Sequence, residues 1–219
     1  MTDNCSLRMR PSDPEQFRQL GVLVIDGSGS MQEMTVGGNI TKAEATAVAT
    51  RELFSRLKDS SISQGFQIGL ITYDHRPTAV IDPPLPVAQL DLNADYNPLR
   101  GHGGNTRIDL ALEEAERIVD NFLKNAPSEG VDYSAVLIVM SDGLCHQPQR
   151  TRDVASRLKQ RFGSRLTLAA AFFAAGKDDP QGEQLLRDIV TSPTFFSTVR
   201  TGDQLREFFR QTLSEALVV

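Results

Sequence analysis

Unbroken apolar runs alternate along the chain with segments whose apolar residues recur every three to four positions. Residues 22–25 and 135–140 are continuous runs, the pattern of strands covered on both faces, where no position meets water, and 166–173 also reads as a strand. FQIGLITYD at 66–74 reads as a second strand. Residues 78–81, following Pro77, read as a short third one at a sheet edge, where the missing N–H of a proline breaks no ladder. Residues 194–199 read as the last strand. Between the strands the helical period takes over. Thr41-Lys42-Ala43-Glu44 has the capping-box pattern that opens a helix, and Ile40, Ala43, Ala47, Phe54 and Leu57 form its core-facing stripe. Helices are also predicted over 107–123 (Ile108, Ala111, Leu112, Ala115, Ile118, Val119, Phe122), over 148–162 with Val154 and Leu158 inward and Gly163 as the stop, over 181–190, and over 204–217 along Leu205, Phe208, Phe209, Leu213 and Ala216.

This alternation predicts βαβ units and a doubly wound α/β fold, a mostly parallel sheet with helices on both faces. In such sheets ligands bind beyond the carboxyl ends of the strands, where the strand order reverses. The 219 residues suit one α/β domain. Residues 1–18, polar and carrying Pro11 and Pro14, read as an N-terminal arm, and 19–219 as the domain, with Phe17 and Leu20 packing on it. The Pro- and Gly-rich connection over 82–105 is long for a compact domain, the mark of a functional or mobile loop. No internal repeat is visible.

Composition narrows the function. Hydrophobic residues make up 40% and charged residues 23% of the chain, so a packed core is expected rather than global disorder. The formal net charge is −5, with Lys and Arg scattered, which argues against binding nucleic acid or a membrane surface through phosphates. The N-terminus has no signal-like apolar core and no run reaches membrane-spanning length, so a soluble cytoplasmic protein is expected. Cys5 and Cys145 make no disulfide framework, which fits a reducing compartment. Cys145-His146 reads as ordinary loop residues.

The candidate chemistry lies where the first strand ends, in VLVIDGSGSMQEM at 22–34. A phosphate loop would lead directly into a helix, with a lysine or with GxGxxG spacing, but about fifteen residues separate Asp26 from the next helix. A nucleophile elbow would read GxSxG, and neither Ser28 nor Ser30 fits. Asp26, Ser28 and Ser30, spaced by two, can instead turn three oxygens toward one point. Carboxylate and hydroxyl oxygens are hard ligands suited to Mg²⁺ or Mn²⁺. Asp142 closes the strand ending at Met140 just as Asp26 closes the first. Thr106, in GHGGNTRID, sits at a helix start and can supply a third loop, although Thr106 to Asp109 also fits a capping box.

DGSGS at 26–30, Thr106 after a Gly-rich turn, and SDG at 141–143 together resemble the metal-ion-dependent adhesion site of von Willebrand factor A domains, and the IGLITY strand at 68–73 resembles that family's second strand. The resemblance covers residues 20 to 217. It implies a six-stranded sheet of order 3-2-1-4-5-6 with one short antiparallel edge strand and a metal between the first and fourth strands. Ser28 and Ser30 would ligate directly, Thr106 directly or through water, and Asp26 and Asp142 largely through water. It also implies that a partner's Asp or Glu takes the remaining coordination position, a contact favoured because hydroxyls and water-separated carboxylates leave the cation under-neutralised.

The function expected from this is a non-enzymatic, metal-dependent adaptor in a bacterial intracellular assembly or stress-response system. The resemblance extends to the tellurite-resistance-associated type, and implies partners such as an AAA-type ATPase, a kinase or a phosphatase. The alternative is a Mg²⁺-dependent hydrolase or phosphotransferase with Asp26 as nucleophile; it lacks the second acid of DxDx[TV], since Ser28 stands there, and no group suits proton transfer. Asp74 and Asp82 read as turn residues, and His75 and His102 as surface loop residues. Met31, Met34, Leu144 and His146 flank the site and are candidates for partner contact.

Overall fold

The computed structural model describes residues 17–61, 63–125, 131–143, 145–174 and 179–215. Six strands form one sheet in the order β3-β2-β1-β4-β5-β6. These are β1 (Phe17–Asp26), β2 (Phe66–Tyr73), β3 (Pro77–Pro86), β4 (Asp132–Ser141), β5 (Leu166–Phe173) and β6 (Phe196–Val199). All neighbouring pairs are parallel except β2–β3. The five helices are α1 (Lys42–Asp59), α2 (Ile108–Lys124), α3 (Pro148–Phe162), α4 (Pro180–Ile189) and α5 (Gly202–Glu215). α1 packs with α5 on one face of the sheet, and α2, α3 and α4 pack side by side on the other. Because both faces are covered, β1, β4 and β5 are buried along nearly their whole length, which explains why they are so largely apolar.

The predicted class, strand order and helix layers agree with this architecture. The capping box is formed: Thr41 accepts the Glu44 N–H, while the Glu44 carboxylate accepts the Thr41 N–H at 2.8 Å. α3 and β5 start and stop where the pattern places them. Leu205, Phe208, Phe209 and Leu213 face the core from α5; Ala216 of that stripe and the predicted helix end at Leu217 lie outside the described residues.

Among the differences, three change the packing. β1 already begins at Phe17, buried edge-to-face against Phe66 with ring centroids 5.8 Å apart, so the last two residues of the predicted arm belong to the sheet. β3 is not short: it runs ten residues through Pro83, Pro84 and Pro86, and its register against β2 slips between Ile68↔Leu85 and Leu70↔Ile81. An edge strand needs hydrogen-bond donors on one side only, so prolines that would interrupt an inner strand are accommodated with a bulge. Ile40, placed in the α1 stripe, is instead one of the exposed large apolar residues, with Met34 and Val36. It belongs to a small hairpin before the helix, in which the Thr35 N–H donates to the Ile40 carbonyl at 3.0 Å.

The strand order reverses between β1 and β4. Beyond the carboxyl ends of these two neighbours lies the crevice the topology reserves for a ligand, and Asp26 and Asp142 both sit there.

Candidate metal centre

Asp26 ends β1 fully buried. Its Oδ1 accepts the backbone N–H of Ser28 at 2.7 Å, and its Oδ2 accepts the hydroxyl of Ser141 at 2.5 Å. The turn after it is possible only with glycine: the Gly27 N–H donates to the Tyr73 carbonyl at 2.6 Å, and a Cβ on Gly27 would stand 2.2 Å from the Pro98 carbonyl oxygen. Close backbone approach thus presses the 98–104 loop onto the DGSGS turn. Ser28 and Ser30 turn their hydroxyls toward one another, 3.1 Å apart, and the Ser30 hydroxyl donates to Asp142 Oδ1 at 2.6 Å. The Ser28, Ser30 and Asp142 oxygens therefore form one hydrogen-bonded chain, and Asp26 joins it through the Ser28 N–H.

Thr106 reaches the same end of the sheet by another route. Its carbonyl accepts the His146 N–H at 3.0 Å, the Arg107 N–H donates to the Asp74 carbonyl at 2.8 Å, and the Gly29 N–H donates to the Gly104 carbonyl at 3.3 Å. The 98–106 loop is thereby tied to the loops after β1, β2 and β4. The capping-box alternative is not realised. The N-cap of α2 is Arg107, without a side-chain cap bond, and Asp109 is held instead by the Arg107 guanidinium at 2.8 and 2.7 Å. The Thr106 hydroxyl, on a buried residue, makes no hydrogen bond among the described residues.

Two carboxylates in a buried crevice repel. Burial, and then the neighbouring Asp142, push the Asp26 carboxyl up from 3.8 to about 7, against the opposing bonds from Ser141 and Ser28. A carboxyl whose folded pKa is raised keeps its proton in the native state, so its contribution is full below about pH 4 and is lost as pH rises toward about 7. In chelator, the urea midpoint of the protein is expected to fall between pH 5 and pH 8, and the Asp26→Asn variant is expected to lose that part of the slope.

Lys42, the first residue of α1, was not singled out by the sequence. It is only 2% exposed, and its Nζ donates to Asp142 Oδ2 at 2.6 Å and to Glu33 Oε2 at 2.8 Å. Although burial lowers its pKa, the bonds to Asp142 and Glu33 outweigh this and raise it. Ser141, the second partner of Asp26, was also missed, though it is the first letter of the SDG triplet.

Several flanking expectations are corrected. Asp74 does lie in the bend between β2 and β3, as expected, but it is also a buried hub: its Oδ2 accepts the Gly104 N–H at 3.0 Å and its Oδ1 the Arg76 N–H at 3.1 Å. Burial raises its pKa, but these bonds and the His102 contact carry it well below the usual carboxylate range. His102 is a core residue with a fully buried side chain. Its Nε2 is 3.0 Å from Thr72 Oγ1, and its Nδ1 lies 3.1 Å from Asp74 Oδ1, poorly aligned for a hydrogen bond. Asp82 is in β3 and pairs with Arg117. Met31 is fully buried and cannot meet a partner, whereas Met34 is 51% exposed; Leu144 lies outside the described residues. His75 and His146 are exposed, as expected. Cys145 is a free, buried thiol 3.3 Å from Thr151 Oγ1.

Three hydroxyls and two carboxylates make an oxygen-only donor set, which suits a hard divalent cation. The Thr106 hydroxyl, without a protein partner, is the kind of group such an ion would engage. Among the described residues no three His, Cys, Asp or Glu side chains are grouped to hold a metal, so a nitrogen and sulfur site of the structural zinc kind is not built here.

The family profile described as von Willebrand factor type A domain matches residues 22–211. No curated protein sequence matches the chain. Among solved structures, the pilus adhesin SpaC from Lactobacillus rhamnosus GG superimposes with a TM-score of 0.70 at 13% identity, over 91% of this chain and 30% of the adhesin. The vWF domain of the type V pili tip protein Mfa5 from Porphyromonas gingivalis gives 0.67 at 15% identity, over 91% of this chain and 96% of that one. Proximal thread matrix protein 1 from the mussel byssus, with a zinc-occupied MIDAS motif, gives 0.61 at 18% identity, over 92% of this chain and 46% of that one. The chain thus spans about a third to a half of the adhesin and the byssus protein, and at these identities the likeness is one of fold. No helix among the described residues is long and apolar enough to cross a membrane.

Proposed function

The chain belongs to the von Willebrand factor type A domain family, whose members commonly mediate metal-dependent protein contacts, and from that premise we propose that it is a divalent-metal-dependent protein-binding module that captures an acidic side chain of its partner. The observation that carries this reading is the hydrogen-bonded chain of Ser28, Ser30 and Asp142 oxygens at the strand-order reversal, with Asp26 joined to it through the Ser28 N–H and the Thr106 loop tied to the same turn. Those five residues would hold Mg²⁺ or Mn²⁺. The ion would supply a positive charge to which a partner's Asp or Glu binds. The chain's own part is to preform the cup: Ser141 and the Ser28 N–H fix Asp26, Lys42 fixes Asp142, and the Asp74 hub brings the Thr106 loop alongside.

The enzymatic alternative is disfavoured by Asp26 itself, whose two oxygens are buried and bonded to Ser28 and Ser141 rather than presented to a substrate. An adaptor in a bacterial intracellular assembly, with an ATPase, kinase or phosphatase as partner, is the setting we favour, because the chain is acidic and Cys145 is a free thiol. Pilus proteins among the structural neighbours favour a second setting at the cell surface with the same metal-dependent contact, and cell fractionation separates the two.

The test is affinity capture from lysate of the source cells. Chelator and Ser28→Ala are each expected to reduce recovery of bound partner at least about tenfold, the loss that follows when one charge-assisted contact is removed. Val80→Thr, on the exposed edge strand β3, is expected to leave recovery unchanged. Equal loss from the edge variant would sink the coordination reading.

A further inference from the structure

A lysine at the first position of a helix is electrostatically misplaced, since the helix N-terminus carries partial positive charge. Its ammonium is stabilised there only by what it meets, and Lys42 meets Asp142 and Glu33. The two oxygens of Asp142 are thereby divided: Oδ2 accepts from the Lys42 ammonium at 2.6 Å, and Oδ1 accepts from the Ser30 hydroxyl at 2.6 Å. The carboxylate is held in one orientation, with Oδ1 on the side of the serines.

The same contact sets the charge of the centre. With both carboxylates ionised, as holding a divalent cation would require, Asp26 and Asp142 carry two negative charges, and Lys42 returns one. A divalent cation added to that set leaves a net positive charge of one, whereas without Lys42 the sum would be zero. Glu33, on the outer side of Lys42, has a side chain 49% exposed, so its charge is largely screened by water. No other cation is bonded to either aspartate among the described residues.

We propose that Lys42 is the positioning and charge-setting residue of this centre: it orients Asp142 and weakens the hold on the metal, leaving the loaded site positive and so receptive to an acidic ligand. This rests on the metal-binding reading and adds what that reading does not contain, a residue that trades metal affinity for ligand affinity. At an effective dielectric of about 20, removing one unit charge within several ångströms of an ion changes each equilibrium by at least about tenfold.

The experiment compares wild type with Lys42→Met, which keeps the aliphatic stem, and with Glu33→Gln, a half-exposed change that leaves the core intact. Mn²⁺ binding is measured calorimetrically, and acetate binding to the Mn²⁺-loaded proteins by water-proton relaxation. Lys42→Met is expected to bind Mn²⁺ at least about tenfold more tightly and acetate about tenfold more weakly. Its melting temperature is expected to be lower without metal, where Asp142 lacks its counter-ion, and to gain more from Mn²⁺ than wild type does. Glu33→Gln is expected to shift both affinities in the opposite sense, about twofold. A purely structural ion pair would lower the metal-free melting temperature and leave the Mn²⁺ and acetate affinities where they were. Wild-type binding of Mn²⁺ with equal or weaker binding by Lys42→Met, or tighter binding by Glu33→Gln, overturns the role of Lys42 alone. No binding by any of the three overturns the metal reading and this inference together.

Discussion

Saturating Mg²⁺ or Mn²⁺ is expected to raise the melting temperature of the wild-type protein by roughly 5–10 °C, and to leave Asp26→Ala and Asp26→Asn unmoved. A ligand at a hundred times its Kd stabilises by about 2.7 kcal/mol, and in a domain of this size each kcal/mol is worth about 2–4 °C. The two variants separate charge from hydrogen bonding. Asp26→Ala leaves the Ser28 N–H and the Ser141 hydroxyl, both in the buried crevice, without an acceptor, so its metal-free form should lose about 1–3 kcal/mol. Asp26→Asn keeps an acceptor and removes a charge that burial and Asp142 both disfavour. Its metal-free form at pH 8 should therefore match or exceed the wild type. Differential scanning calorimetry with chelator, Mg²⁺ and Mn²⁺ reads all of this. A wild-type metal shift that survives in Asp26→Asn would remove Asp26 from the ligand set.

Most of the fold was legible because its determinants are local. An unbroken apolar run says how many faces of a strand are covered, and a capping box says where a helix starts; β5, α3 and the Thr41 cap follow from such signals alone. Asp26, Ser28 and Ser30 were legible for the same reason, since their spacing lies within one turn. What escaped depends on partners distant in sequence. Lys42 is marked in the sequence only as part of a capping box, and Asp142, a hundred residues on, gives it its role. His102 reads as a surface loop residue until Thr72 and Asp74 enclose it. Met31 reads as exposed because its neighbours are polar, yet the 3-10 turn after Ser28 rotates it inward. The prolines of β3 signal a loop, and only the edge position of the strand, set by the topology, makes them compatible with a ladder. In each case local pattern gave the propensity and a long-range contact decided the outcome.

Asp74→Ala tests the part of the site that no motif marked. Asp74 follows the end of β2, and its carboxylate accepts the N–H groups of Gly104 and Arg76 and contacts His75 and His102 at 3.0 and 3.1 Å. Its own carbonyl accepts the Arg107 N–H at 2.8 Å, so one residue fastens the loop on either side of Thr106. Alanine keeps the carbonyl for Arg107 but leaves the Gly104 and Arg76 N–H groups without their acceptor, and a loss of about 2–4 kcal/mol is expected, seen as a melting temperature lower by roughly 5–15 °C. Because the folded pKa of Asp74 is depressed below 3.8, its contribution is complete above about pH 4 and is lost as pH falls through the folded value. The acid limb of the wild-type stability curve should accordingly flatten in the variant. Metal affinity should drop about tenfold, since Thr106 keeps its hydroxyl but loses the anchor that places it. Amide hydrogen exchange localises the effect: Gly104 and Arg76, whose N–H groups lose the carboxylate, should lose protection while β4 and β5 keep theirs. Protection retained at both amides, with wild-type metal affinity, would mean that the 98–106 loop is positioned by the Gly29 and His146 backbone bonds alone and that the Asp74 carboxylate is not its anchor.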